Sequence, residues 1–173
     1  MPTTSAGLLL YRLTDGGSVE VLVVHPGGPF WRAKDDGAWS IPKGEIEDDG
    51  DPLATADREF AEELGATAPS GPRIDLGEIT QRGGKRVHAW AVAGDFDVLT
   101  LRSNTFDLEW PRGSGRVESF PEVDKAAWLT VSAARQKLLD AQGAFLDRLV
   151  LTLDEQERVV LPTDGEPSVD RQV

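Results

Sequence analysis

The sequence predicts an α/β fold in which a mixed β-sheet is packed between helices. Three features support this prediction: paired apolar runs rich in β-branched residues, one helix with clear start and stop signals, and helical spacing near the C-terminus. The resulting order, ββ(β)αββ(β)αα, lacks the regular βαβ alternation of a doubly wound nucleotide-binding fold. The length of 173 residues suits one domain. We expect residues 1–161 to form it and residues 162–173 to be a flexible tail.

The first part of the chain is predicted to be a hairpin followed by a loop and a short strand. Apolar runs at residues 4–13 and 18–25 flank a Thr-Asp-Gly-Gly turn. Residues 26–37 contain Pro, Gly and two aromatic residues without a regular period, which indicates an ordered loop. Trp39-Ser40-Ile41 is expected to be a short strand that ends at Pro42.

A helix between Asp51 and Gly65 carries the clearest local signals. Asp51 suits the N-cap, Pro52 suits the first helical position, and Gly65 supplies the stop. Apolar residues between them recur every three or four positions and make one stripe, formed by Leu53, Ala56, Phe60 and Leu64.

The second half of the chain should contain a hairpin, a long loop, a strand and two helices. We place these at residues 74–93, 94–124, 126–129, 131–139 and 144–153, respectively. The predicted loop is rich in Pro, Gly, Ser and Arg, and loops of that length are usually functional or mobile.

The charge distribution excludes some classes of function. The formal net charge is −12, and residues 45–63 and 154–173 carry the whole excess. Because the chain lacks a basic stripe, binding to polymeric nucleic acid is not expected. No apolar run approaches the roughly 18 residues of a membrane-spanning helix, and no signal pattern opens the chain, so we expect a cytoplasmic protein. Without cysteine, a metal would need oxygen or histidine ligands.

Three carboxylates crowd one side of the predicted helix. At about 100° per residue, Glu59 and Glu63 lie about 40° apart, and Glu62 lies about 60° to the other side of Glu59. A solvated acidic face is one explanation, but it predicts interspersed basic residues, and only Arg58 is present between residues 43 and 73. The spacing therefore favours a divalent cation that neutralises the three carboxylates.

These residues resemble the Nudix box, whose pattern is G-x5-E-x7-R-E-U-x-E-E-x-G-U, where U is a bulky apolar residue. The positions that match are Gly44, Arg58, Glu59, Phe60, Glu62, Glu63 and Gly65, whereas the final U is the small Ala66. The run from Trp39 to Gly44, and Glu122 six residues ahead of Trp128, also resemble the family. The resemblance implies a Nudix-type α/β/α sandwich with a mixed β-sheet and is strongest to bacterial predicted NTP pyrophosphohydrolases.

One position departs from the box. The family's first glutamate should be residue 50, and this chain has Gly50. Asp49 or Glu47 is the candidate substitute, because Asp51 already has a structural role as helix N-cap. The resemblance therefore implies reduced or rewired activity more readily than none.

The resemblance implies hydrolysis of a nucleoside diphosphate linked to another group X, with Mg²⁺ or Mn²⁺ as cofactor. The expected metal ligands are the main-chain carbonyl of Gly44 and the carboxylates of Glu59, Glu62 and Glu63. Arg58 is expected to brace a glutamate. Glu122 is a second candidate base, and the alternative is an exposed acid in a turn.

Substrate binding needs donors for phosphate and a flat partner for a base. The candidate phosphate contacts are Lys43, Arg32 and Arg86, each of which is otherwise a surface cation. The candidate stacking residues are Phe30, Trp31 and Trp39, together with Phe106 and Trp110 in the long loop, although tryptophans are more often core residues.

The expected partner is a small nucleotide, either a nucleoside triphosphate or a dinucleoside polyphosphate. The sequence leaves open the base, the group X and the oligomeric state. Gly50 motivates an alternative, a catalytically weak domain of the same fold that binds or senses a nucleotide. The acidic tail motivates a third possibility, a plain acidic interaction module.

Overall fold

The computed structural model describes residues 3–160, so the predicted flexible tail lies outside the described residues. Within this range the chain forms eight strands, three α-helices and two 3₁₀ turns. The bounds are β1 (Thr4–Leu13), β2 (Val19–Pro26), β3 (Lys43–Glu45), α1 (Pro52–Leu64), β4 (Ile74–Thr80), β5 (Arg86–Ala93), β6 (Thr105–Glu109), β7 (Val117–Pro121), β8 (Val123–Thr130), α2 (Val131–Lys137) and α3 (Gly143–Val160).

The main sheet is mixed, as predicted. Its strand order is β4-β5-β1-β2-β8, and β3 pairs with the N-terminal part of β1. β1 and β5 run parallel, whereas the other pairs are antiparallel. The central strand β1 is shared by two partners on one side: Ser5 to Gly7 face β3, and Tyr11 to Leu13 face β2. This division places β3 beside the N-terminal end of the central strand.

Both faces of the sheet are covered, which confirms the α/β/α sandwich. Leu8 and Leu10 pack on the side of α1 with Phe60, whereas Leu9 packs on the side of α3 with Phe145. Successive residues of a strand point to opposite faces, so a strand buried on both sides becomes continuously apolar. None of the helices within residues 3–160 has both the length and the apolar character needed to cross a membrane.

The predicted signals at both ends of α1 are confirmed. The side chain of Asp51 accepts a hydrogen bond from the Ala54 N–H at 2.8 Å, and Pro52 opens the helix. Gly65 has a φ of 77°, and its N–H donates to the Ala61 carbonyl. A Cβ atom on Gly65 would lie 2.4 Å from the Arg102 carbonyl oxygen, so both the backbone conformation and the available space require glycine.

The prediction of a strand at residues 39–41 is wrong. Trp39 and Ser40 make only isolated bridges, and the strand comes after Pro42, at β3. The reason is that the Ile41 N–H donates to the side chain of Gln142, and the Pro42 carbonyl accepts from Leu8. Neither partner is close in sequence, so no local pattern marks this register.

The prediction of one long loop over residues 94–124 is also wrong. β6 and β7 form a separate two-stranded sheet within it, with Phe106 opposite Phe120. Each strand has five residues, which is too few to show a clear period of two against the surrounding Pro, Gly and Ser. The predicted C-terminal helix is present, but it continues beyond Leu153 to Val160. The residues after Leu153 are mostly charged or polar, so the apolar spacing that predicted the helix ends there.

Candidate active site

Two glutamates of α1 contact β3: Glu59 packs against Gly44, and Glu63 accepts a hydrogen bond from the Lys43 N–H. Phe60 and Leu64 are buried in the stripe next to Glu63, and their packing sets the rotation of the helix. The side chain of Glu59 is 12% exposed and that of Glu62 is 35% exposed. The carboxylates therefore lie partly beneath the surface, where unpaired charge is costly.

Gly44 is in direct contact with Glu59. A Cβ atom on residue 44 would lie 1.9 Å from Cδ of Glu59 and 2.2 Å from its Oε2. The carboxyl group thus occupies the space that any other residue type would fill. The pairing of Gly44 with Ala6 holds this part of β3 against the central strand. The glycine of the box is needed here for space.

Glu63 is the most perturbed carboxyl group of this site. Its Oε2 accepts a hydrogen bond from the main-chain N–H of Lys43 at 3.3 Å. Burial raises the pKa of Glu63 to about 8, an effect that the charge of Lys43 opposes and the charge of Glu59 reinforces. Without a cation, burial therefore favours the protonated form of this carboxyl group.

Glu59 and Glu122 are perturbed in the same direction. Burial raises the pKa of Glu59; Arg58 opposes the shift, while Glu62 and Glu122 add to it. Burial also raises the pKa of Glu122, and repulsion from the charge of Glu62 raises it further. The charge of Glu62 therefore acts on Glu122, although Glu122 is exposed in a turn. We call Glu59, Glu62, Glu63 and Glu122 the carboxylate cluster from here on.

Main-chain hydrogen bonds bring Glu122 to the helix. The Asn104 N–H donates to the Glu62 carbonyl at 2.9 Å, and the Glu122 N–H donates to the Asn104 carbonyl at 2.8 Å. The Glu122 carbonyl in turn accepts from the Gly27 N–H at 2.9 Å. These bonds join three segments that are far apart in sequence at one end of the sandwich.

Arg58 contacts two members of the carboxylate cluster. Its guanidinium lies 3.1 Å from Oε1 of Glu59 and 3.0 Å from Oε1 of Glu62. The hydrogen bond to Glu62, with the charges of Glu59 and Glu47, raises the pKa of Arg58. The sequence implied that Arg58 braces a glutamate, and the structure places it between two.

The segment around Gly50 is a tight turn. The Gly50 N–H donates to the Glu47 carbonyl at 2.8 Å, and Asp49 has a φ of 59°, in the left-handed region. Of the two proposed substitutes for the missing glutamate, Glu47 is the one whose charge acts on Arg58. This favours Glu47 over Asp49.

The donor set fits a hard divalent cation in its chemistry, because carboxylate and carbonyl oxygens are the ligands that Mg²⁺ and Mn²⁺ prefer. Among residues 3–160, no three acidic or histidine side chains are already arranged around a single ion position. Arg58 engages two of the carboxylates, and Glu63 accepts from Lys43. Cation binding therefore requires these side chains to reorient.

Lys43 lies at the edge of the carboxylate cluster. Burial lowers the pKa of Lys43, the charge of Lys85 lowers it further, and Glu63 and Glu59 oppose the shift. Lys85 also lies 3.8 Å from Glu45. Of the basic residues in the second hairpin, Lys85 is therefore the one whose charge acts on Lys43. The side chain of Arg86 contacts Thr4 and Glu78 instead.

The other predicted substrate contacts lie in or beside the loop after β2. Arg32 is exposed there, whereas Trp31 is half-buried with the Lys34 ammonium 4.8 Å from its ring centre. Trp39 is 9% exposed, and its indole N–H donates to Asp35. The prediction of Trp39 as a stacking surface is wrong, because this ring is part of the core.

Gln142 supports the site and had no signal in the sequence. It is fully buried; its Oε1 accepts from the Ile41 N–H at 2.9 Å, and its Nε2 donates to Ser40 and Gln81. These bonds fix the segment that leads into Lys43 and Gly44. A single polar residue about a hundred positions away carries no local pattern that reveals such a role.

The comparisons with known proteins show the family and the fold of the chain. The family model described as NUDIX domain matches residues 1–149. The chain is 36% identical over 149 residues to an 8-oxo-(d)GTP phosphatase from Mycolicibacterium smegmatis; this match covers 78% of the chain but only 37% of that protein.

Solved structures share the fold at lower identity. A C. elegans Ap4A hydrolase binary complex has a TM-score of 0.63 and 20% identity, covering 88% of this chain and 98% of that one. A MutT protein from Methanosarcina mazei has a TM-score of 0.55 and 18% identity, covering 88% of this chain and 96% of that one. At these identities the likeness concerns the fold alone.

Proposed function

Because the chain belongs to the Nudix hydrolase family, we propose that it hydrolyses a pyrophosphate bond in a nucleoside diphosphate linked to another group, using Mg²⁺ or Mn²⁺. The main supporting observation is that four glutamates act on one another electrostatically, three from α1 and one from the turn before β8, with Glu59 packed against Gly44. Such a concentration of acidic groups, three of them partly buried, is costly in a stable fold unless a cation relieves it.

The proposed ligands are the carboxylates of Glu59, Glu62 and Glu63 and the carbonyl of Gly44. A bound divalent cation supplies charge that relieves the repulsion between the pyrophosphate and an attacking nucleophile and stabilises the leaving phosphate. Because a cation favours the ionised form of its ligands, Glu63 gives up its proton when the ion binds.

Two groups of the chain can handle the proton of the attacking water. The charge of Glu122 acts on the cluster from a separate segment, and Glu122 is the candidate base outside the ligand set. A member of the helix trio is the alternative. In the proposed reaction, the base takes a proton from water as its oxygen bonds to phosphorus, and the bridging P–O bond breaks.

Arg58 and Lys43 have supporting roles in this proposal. Arg58 neutralises Glu59 and Glu62 before a cation arrives, and the nearby charge of Glu47 would help to hold it when those glutamates turn to the ion. Lys43 sits beside Gly44 with a buried stem, which suits an ammonium that contacts a substrate phosphate.

The substrate class rests on the relatives as well as on the site. One relative is named for action on 8-oxo-(d)GTP and one structural neighbour for action on Ap4A, so we propose a nucleoside triphosphate or a dinucleoside polyphosphate. The chain spans about 37% of the length of that phosphatase, so the activity of the whole relative is not transferred to it. A cytoplasmic location stays a prediction.

A second candidate function has a specific observation in its favour. Gly50 stands in place of the first box glutamate, and Arg58 engages the helix glutamates themselves. This arrangement suits a domain that binds nucleotide with little turnover.

A nucleotide panel tests both functions. We expect cleavage of a pyrophosphate bond, detected through its nucleotide products, that requires Mg²⁺ or Mn²⁺ and falls by about a hundredfold or more in Glu63→Gln. The matched control is Glu157→Gln, an exposed glutamate on α3 outside the cluster, which should retain full activity. If no compound on the panel is hydrolysed but calorimetry detects metal-dependent nucleotide binding, the chain is a binding domain.

A further inference from the structure

A group of aromatic residues lies outside both hydrophobic cores. Phe106 and Phe120 face each other across β6 and β7 with ring centres 6.0 Å apart. A Cβ atom on Gly28 would lie 2.9 Å from the Phe106 ring, so the loop after β2 packs closely on this hairpin. A two-stranded sheet has marginal stability by itself, and this packing gives it support.

Phe30 and Trp110 extend this group to the surface. Their ring centres are 5.5 Å apart with an interplanar angle of 80°, an edge-to-face contact. Phe30 is 56% exposed, and Trp110 is half-exposed. Burial in a core therefore does not explain why two large aromatic rings are held together here.

The two segments that carry the aromatic pair also lead to Glu122 of the carboxylate cluster. Phe30 follows Gly27 by three residues, and the Gly27 N–H donates to the carbonyl of Glu122. The first residue of β6, Thr105, pairs with Pro121, the residue before Glu122. Trp110 follows the other end of β6, and the five residues of this strand span about 17 Å. An extended nucleotide can bridge this separation with its phosphates at the cluster and its base at the pair.

The charge around the pair also suits an anionic ligand. Arg112 and Arg116 are exposed on the connection between β6 and β7, and Arg32 is exposed two residues after Phe30. The segments that carry the excess negative charge of the chain, residues 45–63 and 154–173, do not include any part of the aromatic pair. The three guanidinium groups belong to the same two segments that carry the aromatic pair.

We propose that Phe30 and Trp110 form the surface that holds the base of the nucleotide, and that they take the role expected of Trp31 and Trp39. The inference rests on the proposed function for the identity of the ligand. A flat ring stacks on the open face of the pair, and this contact selects base-bearing over base-free phosphate compounds. Stacking tolerates different bases, so the pair sets a preference for the class of compound.

The test compares two ligands on the full chain. Calorimetry measures the affinity of a non-hydrolysable nucleoside triphosphate analogue and of its counterpart that lacks the base, both with Mg²⁺. Phe30→Ala and Trp110→Ala should each weaken binding of the nucleotide about tenfold and leave the base-free compound within about twofold. Trp110→Phe keeps a ring and should recover most of the affinity if the hairpin itself is intact.

The matched control is Val117→Ala, which removes an exposed apolar side chain from β7 and should change neither affinity. Equal losses for both ligands, no loss, or a wild-type chain that does not prefer the nucleotide would each overturn the inference. If the chain binds without turnover, the proposed function fails while a selective loss still supports the aromatic pair.

Discussion

At the scale of single residues, the contact between Gly44 and Glu59 explains why the box begins with glycine. The carboxyl carbon of Glu59 lies where a Cβ atom would be. Glycine is usually interpreted through backbone freedom, but at this position the requirement is for space. The glutamate and the glycine therefore act as one unit.

Gly44→Ala should abolish turnover because the added methyl group displaces the Glu59 carboxyl group from β3. We expect a loss of at least about a hundredfold in kcat, with metal binding weakened in calorimetry. Gly16→Ala is the control, since its added Cβ atom would meet only Thr14 at 3.9 Å. Retention of activity in Gly44→Ala would show that Glu59 does not need its observed position.

Glu63 predicts how stability depends on pH in the metal-free protein. Its pKa is about 8 when folded, against about 4.3 in an unfolded chain, so the folded state binds an extra proton between these values. Stability therefore falls as pH rises from about 5 through 8. Thermal unfolding in a chelator should show this decline.

Glu63→Gln should flatten the same pH profile, because glutamine does not titrate. Metal affinity in the wild type should tighten as pH rises toward 8, since the cation displaces the proton. A pH profile that is identical in the two proteins would contradict the assignment of this pKa.

At the scale of elements, α1 was predictable and β3 was not. Asp51, Pro52 and Gly65 act within a few residues of themselves, so the local sequence contains the whole signal for the helix. β3 depends on pairing with β1 and on the side chain of Gln142, both distant in sequence. The same holds for β6 and β7, which are short and pair only with each other.

Gln142→Leu should destabilise the fold and weaken catalysis together. The substitution leaves the buried N–H of Ile41 without its acceptor, which costs about 1–3 kcal/mol. Because this segment leads into Lys43 and Gly44, kcat should also fall. Urea unfolding and steady-state kinetics measure the two effects, and Gln156→Leu on α3 provides the exposed control.

At the scale of the whole molecule, one end of the sandwich gathers the acidic charge. Residues 45–63 alone contribute −8, and Glu122 joins them from the other half of the chain. Any ion that binds only the folded state stabilises it by mass action. The metal should therefore act as a structural ligand as well as a catalytic one.

Mg²⁺ at about a hundredfold above its dissociation constant should stabilise the protein by about 2.7 kcal/mol. Differential scanning calorimetry with and without a chelator measures this shift at a fixed pH. Glu63→Gln should lose most of it, whereas Glu157→Gln should keep it. An equal response of both variants would mean that the ion acts through general screening of the acidic surface.

The amino-acid sequence by itself determined the amphipathic helix with its caps, the three glutamates on one side of it, and the two hairpins of the main sheet. These follow from spacing and from contacts within a few residues. Only the tertiary structure decided that Gly44 lies against Glu59, that Glu122 joins the cluster, and that Trp39 is buried while Phe30 is exposed. Such contacts join segments 15 to 100 residues apart, and packing across the sheet, which no local pattern encodes, brings them together.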